Sequence, residues 1–105
     1  MKNFSDIKFN KIDFAPNGVQ AFVNFGKYKL SIVKHDWSYG GKKGLYEIGV
    51  FGTDGNMVEL PGVTHEGDTV KGFMTEDDVM ITIKKMFTLT ATEPKNVEYI
   101  SSWLK

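Results

Sequence analysis

The sequence predicts an α+β domain: an antiparallel β-meander sheet of four to six strands packed with a C-terminal helix at about residues 75–90. Three observations predict it. Apolar residues alternate with a period of two through much of the first half. Turn-forming residues interrupt that alternation at short intervals, the spacing of a meander. A capping pattern at Thr75 then opens a stretch whose apolar residues recur at helical spacing.

Ile7, Phe9, Ile12 and Phe14 are apolar with one break in alternation, which reads as a first strand carrying a bulge. Ala15-Pro16-Asn17-Gly18 is turn chemistry, because proline presets φ and Asn-Gly tolerates positive φ. Val19, Ala21, Val23 and Phe25 alternate with Gln20, Phe22 and Asn24. After the break at Gly26-Lys27, Tyr28, Leu30 and Ile32 resume the pattern. These two runs read as a hairpin with one buried face. Phe22, opposite in parity to Val23, is expected to face outward and to mark an interface, including a homodimer contact. Tyr46, Ile48 and Val50 predict a further strand, Met57 to Leu60 a short returning one, and Thr69 to Phe73 a last edge strand.

Thr75 can cap free amide donors, and Glu76, Asp77 and Asp78 sit where the helix dipole favours negative charge. Val79, Ile83, Met86 and Phe87 then share one helical face. A strand is the rival reading of residues 79–90, since Val79, Ile81 and Ile83 also alternate and Thr82, Thr88 and Thr90 favour β structure. After Pro94, a short closing helix is expected at about 95–104, with a strand through Val97, Tyr99, Ser101 and Trp103 as its alternative.

At 105 residues the chain fits one domain, 1–105. Apolar residues make up 41% and aromatics 13%, enough for a core without staples. The absence of cysteine removes disulfides, thiolate metal ligands and cysteine nucleophiles together. Met1 to Asn10 lacks the apolar run of a signal peptide, and no stretch approaches the roughly 20 apolar residues of a membrane span. A soluble cytoplasmic protein without membrane attachment is the expectation. Formal net charge is zero, so no global field drives the chain onto nucleic acid or an anionic surface. The charges are nonetheless segregated: Lys27 to Gly44 holds five lysines against Asp36, and Leu45 to Asp78 eight acids against Lys71.

The segment Lys34 to Gly44 combines lysines, glycines and aromatics. Glycines let a ligand approach the backbone, lysines attract anions, and exposed aromatics anchor partners or stack on bases. The candidate binding residues are therefore Lys34, His35, Trp37, Tyr39, Lys42 and Lys43. Neither P-loop nor dinucleotide-fingerprint spacing is present. His35, Asp36 and His65 match no metal-ligand spacing, and Ser38 lies in no nucleophile-elbow motif. The acids from Glu59 to Asp78 lack the alternating oxygen ligands of a calcium loop and read as a solvated rim with helix-capping acids. No catalytic residue, cofactor or metal is assigned.

Ser38-Tyr39-Gly40-Gly41 followed by Gly44-Leu45-Tyr46-Glu47, and later Gly67 to Val79 with its glycine turn leading into Thr75-Glu76-Asp77-Asp78-Val79, resemble small uncharacterised accessory proteins of tailed bacteriophages. The resemblance covers about half the chain. It implies a protein acting in the cytoplasm of an infected bacterium and carries no activity or site residue with it. The resulting expectation is a non-enzymatic protein that binds a host or phage macromolecule, a protein in the first place. The alternative is single-stranded nucleic-acid binding through loop 34–44.

Overall fold

In the computed structural model, which describes residues 1–97, the chain forms a six-stranded antiparallel sheet with one α-helix against one face. The strands are β1 (Asn10–Lys11), β2 (Val19–Asn24), β3 (Lys29–Lys34), β4 (Tyr46–Phe51), β5 (Val70–Met74) and β6 (Lys95–Val97). The helix, α1, spans Glu76–Thr90 between β5 and β6. Strands β1 to β5 lie side by side in chain order, a meander, while β6 returns to pair with β2. The α+β class and the helix are as the sequence predicts.

The period-two pattern decides which face is buried. Ala21, Ile32 and Ile48 form one cross-strand row, and Val23, Leu30 and Val50 the next. All six are completely buried. Burying each of the five valine, leucine and isoleucine side chains contributes about 1.5–3 kcal/mol, so these two rows supply a large share of the driving force. Against them α1 lays Val79, Ile83 and Met86, with Ile7, Val63 and Met74 closing the margins. Phe87, expected on that stripe, is not part of the buried set and is 41% exposed.

The cap at Thr75 forms a reciprocal box. The Thr75 hydroxyl accepts from the Asp78 amide at 3.1 Å, and an Asp78 carboxylate oxygen accepts from the Thr75 amide at 3.0 Å. Aspartate thus does what glutamate does in the commoner form of this box. The β-branched threonines that favoured the strand reading are accommodated by hydrogen bonding back into the helix. Thr82, Thr88 and Thr90 donate to the carbonyls of Asp78, Lys84 and Met86 at 2.8–3.0 Å.

Four expectations need correction. The first strand shrinks to Asn10–Lys11, because Phe4–Asp6 forms a 3₁₀ turn and Phe4 and Phe9 pack on the Tyr46 ring instead of continuing an alternating ladder. The returning strand at Met57 to Leu60 reduces to a single bridge between Phe51 and Met57. The closing helix does not begin at residue 95: Lys95–Val97 is strand, paired to Asn24, Val23 and Phe22, and the rest of that segment lies outside the described residues. Phe22 does point away from Val23, but it is only 7% exposed, so it offers no outward-facing surface.

Removing the cap tests this account of the helix start. Thr75→Ala is expected to cost about 1 kcal/mol in urea unfolding. The Thr75 amide, then the Thr75 side chain, hold the Asp78 carboxyl below the ordinary aspartate value of 3.8. A depressed pKa gives stability that is present above that value and lost as pH falls through the folded-state pKa. Asp78→Asn is therefore expected to flatten the acid limb of the stability profile below about pH 4 and leave its neutral shape unchanged, read by urea midpoints at stepped pH.

Candidate functional site

The segment joining β3 to β4 is a braced structure, not an open loop. Ser38 is its hub: its hydroxyl accepts from the His35 amide at 3.0 Å and donates to the His35 carbonyl at 2.9 Å. The Ser38 amide also donates to that carbonyl, and Gly41 donates to the Ser38 carbonyl. Gly41–Lys43 then makes a 3₁₀ turn flanked by Gly40 and Gly44, both left-handed at φ 89° and 79°. Those conformations are the reason for the glycines. On the outside, Asp36 is tied to the turn before β2, its amide donating to Pro16 and its carboxylate accepting from the Asn17 side chain.

This segment interlocks with β5. The Phe73 amide donates to the Tyr39 carbonyl at 3.1 Å, and the Tyr39 amide donates to the Glu47 carboxylate at 2.8 Å. At Gly72 a side chain would collide with Tyr39, and a Cβ on Gly40 would come within 3.0 Å of the Phe73 Cα. Each strand of the contact therefore sets an aromatic residue against the other's glycine. The pairing of β4 with β5 shifts here: Ile48 faces Lys71, yet Tyr46 faces Met74, so Gly72 and Phe73 together oppose Glu47 as a β-bulge. Phe73 takes a left-handed φ of 55°. For an aromatic residue that conformation costs on the order of 1–2 kcal/mol.

The six candidate residues separate into two groups. Lys34 turns its ammonium over the Tyr46 ring, 4.8 Å from the centroid, on the same side of the sheet as the core. His35 packs edge-on to Phe14, and its Nδ1 accepts from the Trp37 amide at 3.1 Å. These two brace the segment from below. Trp37 and Tyr39 are 69% and 59% exposed, and Lys42 and Lys43 are exposed beside them in the chain. Lys43 places its ammonium 5.9 Å from the centre of the Phe73 ring.

Phe73, 57% exposed, is the member sequence reasoning missed. It borders a cleft of about 400 Å³ with Tyr39, His65 and Lys71, and a second of about 170 Å³ with Asp36, Gly40, Lys42 and Lys43. A strand pattern alone assigns Phe73 to the core, and only the bulge turns it out.

The other constellations resolve into local structure. The Ser38 hydroxyl hydrogen-bonds to the His35 backbone and not to its imidazole, whose Nδ1 accepts from the Trp37 amide. Among the described residues, no group of three or more histidine or carboxylate side chains is placed to hold a metal ion. Glu59 accepts from the Gly67 amide and Asp68 from the Thr69 amide, each stabilising its own loop. Among the described residues, no helix is long and apolar enough to cross a membrane. Comparison with protein-family models, curated proteins and solved structures finds no match.

Two substitutions test the interlock. Gly72→Ala forces a methyl group onto Tyr39 and is expected to destabilise by about 1–3 kcal/mol, seen as a lower melting temperature. At position 73 the ordinary order of alanine over glycine in a strand should invert. Phe73→Gly is expected to be more stable than Phe73→Ala by about 1 kcal/mol, because glycine occupies the left-handed region without strain.

Proposed function

We propose that this chain is a non-enzymatic accessory protein of phage type that binds a host or phage macromolecule, specifically a protein, in the cytoplasm of an infected bacterium. The observation that carries the reading is Phe73: a large aromatic side chain, mostly exposed, held in a conformation that glycine would adopt without strain. Its exposure returns little of that cost through burial, so a contact outside the chain is the natural recipient. Beside it Tyr39 stands on a hydrogen-bonded segment whose backbone is already ordered. Rigid exposed aromatics lose little entropy on association and are favoured anchors in protein interfaces.

The nucleic-acid reading draws on Lys42 and Lys43 next to the same rings. Against it, the two clefts around Phe73 carry Asp36 and Asp68 as well as Lys42, Lys43 and Lys71, a nearly balanced set. Phosphate binding calls for a clear basic excess. That balance, on a chain of zero net charge, favours a protein partner.

The test is purification at low salt from bacterial lysate of the wild type, Trp37→Ala and Tyr39→Ala. Alanine at 39 keeps the Cβ that rests on Gly72, and Trp37 is exposed, so both variants should melt within about 0.5 kcal/mol of the wild type. A stoichiometric protein that accompanies the wild type and is lost from both variants is the expected result. Nucleic acid that co-purifies and is stripped by raised salt would overturn it, as would variants that fail to fold.

A further inference from the structure

The surface around Phe73 continues across the edge of the sheet onto the helix. Phe73 borders a third cleft, which runs along β5 to Asp78, Ile81 and Lys85 of α1. Ile81 and Lys85 in turn border a groove of about 450 Å³ between α1 and the turn Pro61-Gly62-Val63, reaching Leu89. One track therefore joins four exposed apolar side chains, Tyr39, Phe73, Ile81 and Leu89. Its helical part is built, not incidental: the Lys85 ammonium donates to the Gly62 carbonyl at 3.0 Å and so fixes one wall of the groove to the other.

The charges are nearly balanced around Phe73, and the imbalance lies at the helical end of the track. Lys71, Lys84 and Lys85 line its helical half and Lys42 and Lys43 its loop end. Asp36, Asp68 and Asp78 border the clefts at Phe73 and Glu47 reaches the Tyr39 amide, so the lysines of that half are offset, Lys71 by Asp78 among them. The groove at Ile81 and Leu89 is lined by two lysines and no acid. Its walls are mainly aliphatic, which suits leucine-sized side chains and gives a nucleobase nothing to stack on. From Ile81 to Leu89 the helix rises about 12 Å, the length of about four residues of extended chain.

We infer that this track seats an extended acidic segment of the partner protein, with apolar side chains against Phe73 and between Ile81 and Leu89, and carboxylates on Lys84 and Lys85. The inference rests on the protein-binding reading above and gives the partner its chemistry. Charge complementarity selects the occupant: a second copy laid groove to groove would bring lysines against lysines.

The experiment is an amide chemical-shift titration of the labelled full chain with a short peptide of Leu-Glu repeats. The probes for comparison are the same peptide with lysine for glutamate, and oligothymidylate. The acidic peptide is expected to shift Phe73, Ile81 and Leu89 together, and Lys84→Glu to weaken it by about fivefold to tenfold. Ile81→Ser, at an exposed position, is expected to remove the shifts at Leu89 and keep the fold. Shifts confined to Tyr39 and Phe73, equal binding of the lysine peptide, no effect of Lys84→Glu, or no shifts with either peptide would each overturn the track and leave the loop's protein-binding role standing. Oligothymidylate binding at Tyr39 and Phe73 would overturn both.

Discussion

One extra residue in β5 governs how the rest of the chain is arranged. In an unbroken strand, Gly72 and Met74 would share a face with Val70, away from the helix, and Phe73 would point to the core. The bulge opposite Glu47 advances the pattern by one, so that Met74 faces Tyr46 and is buried while Phe73 is turned out. Thr75 follows directly, and its capping box starts α1. The strain at Phe73 is thus tied to a gain elsewhere, since a buried methionine contributes about 1.5–3 kcal/mol. That gain explains why the bulge persists. It does not explain why phenylalanine occupies it, because glycine would serve the same geometry at lower cost.

The strand β5 therefore couples two layers that lie on opposite faces of the sheet. On one face it delivers the helix; on the other its Gly72 receives Tyr39, and its Phe73 amide holds the Tyr39 carbonyl. The segment before β4 is positioned by β5 as firmly as by its own turns. Aromatic residues that look like loop decoration in the chain are placed by the sheet, and the candidate surface inherits its rigidity from the ladder beneath it.

Much of the architecture was legible because it rests on short-range rules. The β2–β3 hairpin follows from alternation interrupted at Gly26, where φ is 80°, and the helix start from Thr75 with Asp78 three residues on. What failed was whatever depended on partners distant in sequence. Phe9 and Phe14 alternate like strand residues, but Phe9 is taken by the Phe4 and Tyr46 rings and Phe14 lies against His35. Lys95–Val97 follows a proline in a stretch with a plausible helical stripe, yet pairing to β2 decides its conformation. At the candidate site, Trp37, Tyr39, Lys42 and Lys43 could be singled out by residue type. Lys34 and His35 could not be told from them, because strand parity places Lys34 on the core side and a ring contact holds His35 against Phe14. Phe73 was hidden altogether, since the bulge at Gly72 and Phe73 shows only in the register of β5 against β4.

The edge of β2 has a further consequence, for the order in which the chain can fold. Two strands share that edge: β1 pairs with its beginning, at Val19 and Gln20, and β6 with its end, from Phe22 to Asn24. The ladder β2 to β5 is made of neighbours in sequence and can assemble as it is synthesised. The second half of the β2 edge has to wait until Asn96 and Val97 exist, long after Phe22 has been made. Such a distant contact is slow to close, because the intervening chain must first be ordered. Until then the backbone of Phe22 to Asn24 is an open strand edge on a nearly finished sheet, the kind of edge to which another extended chain can add. For a nascent copy of this protein, the last of the described strands to be made is the one that covers this part of the edge.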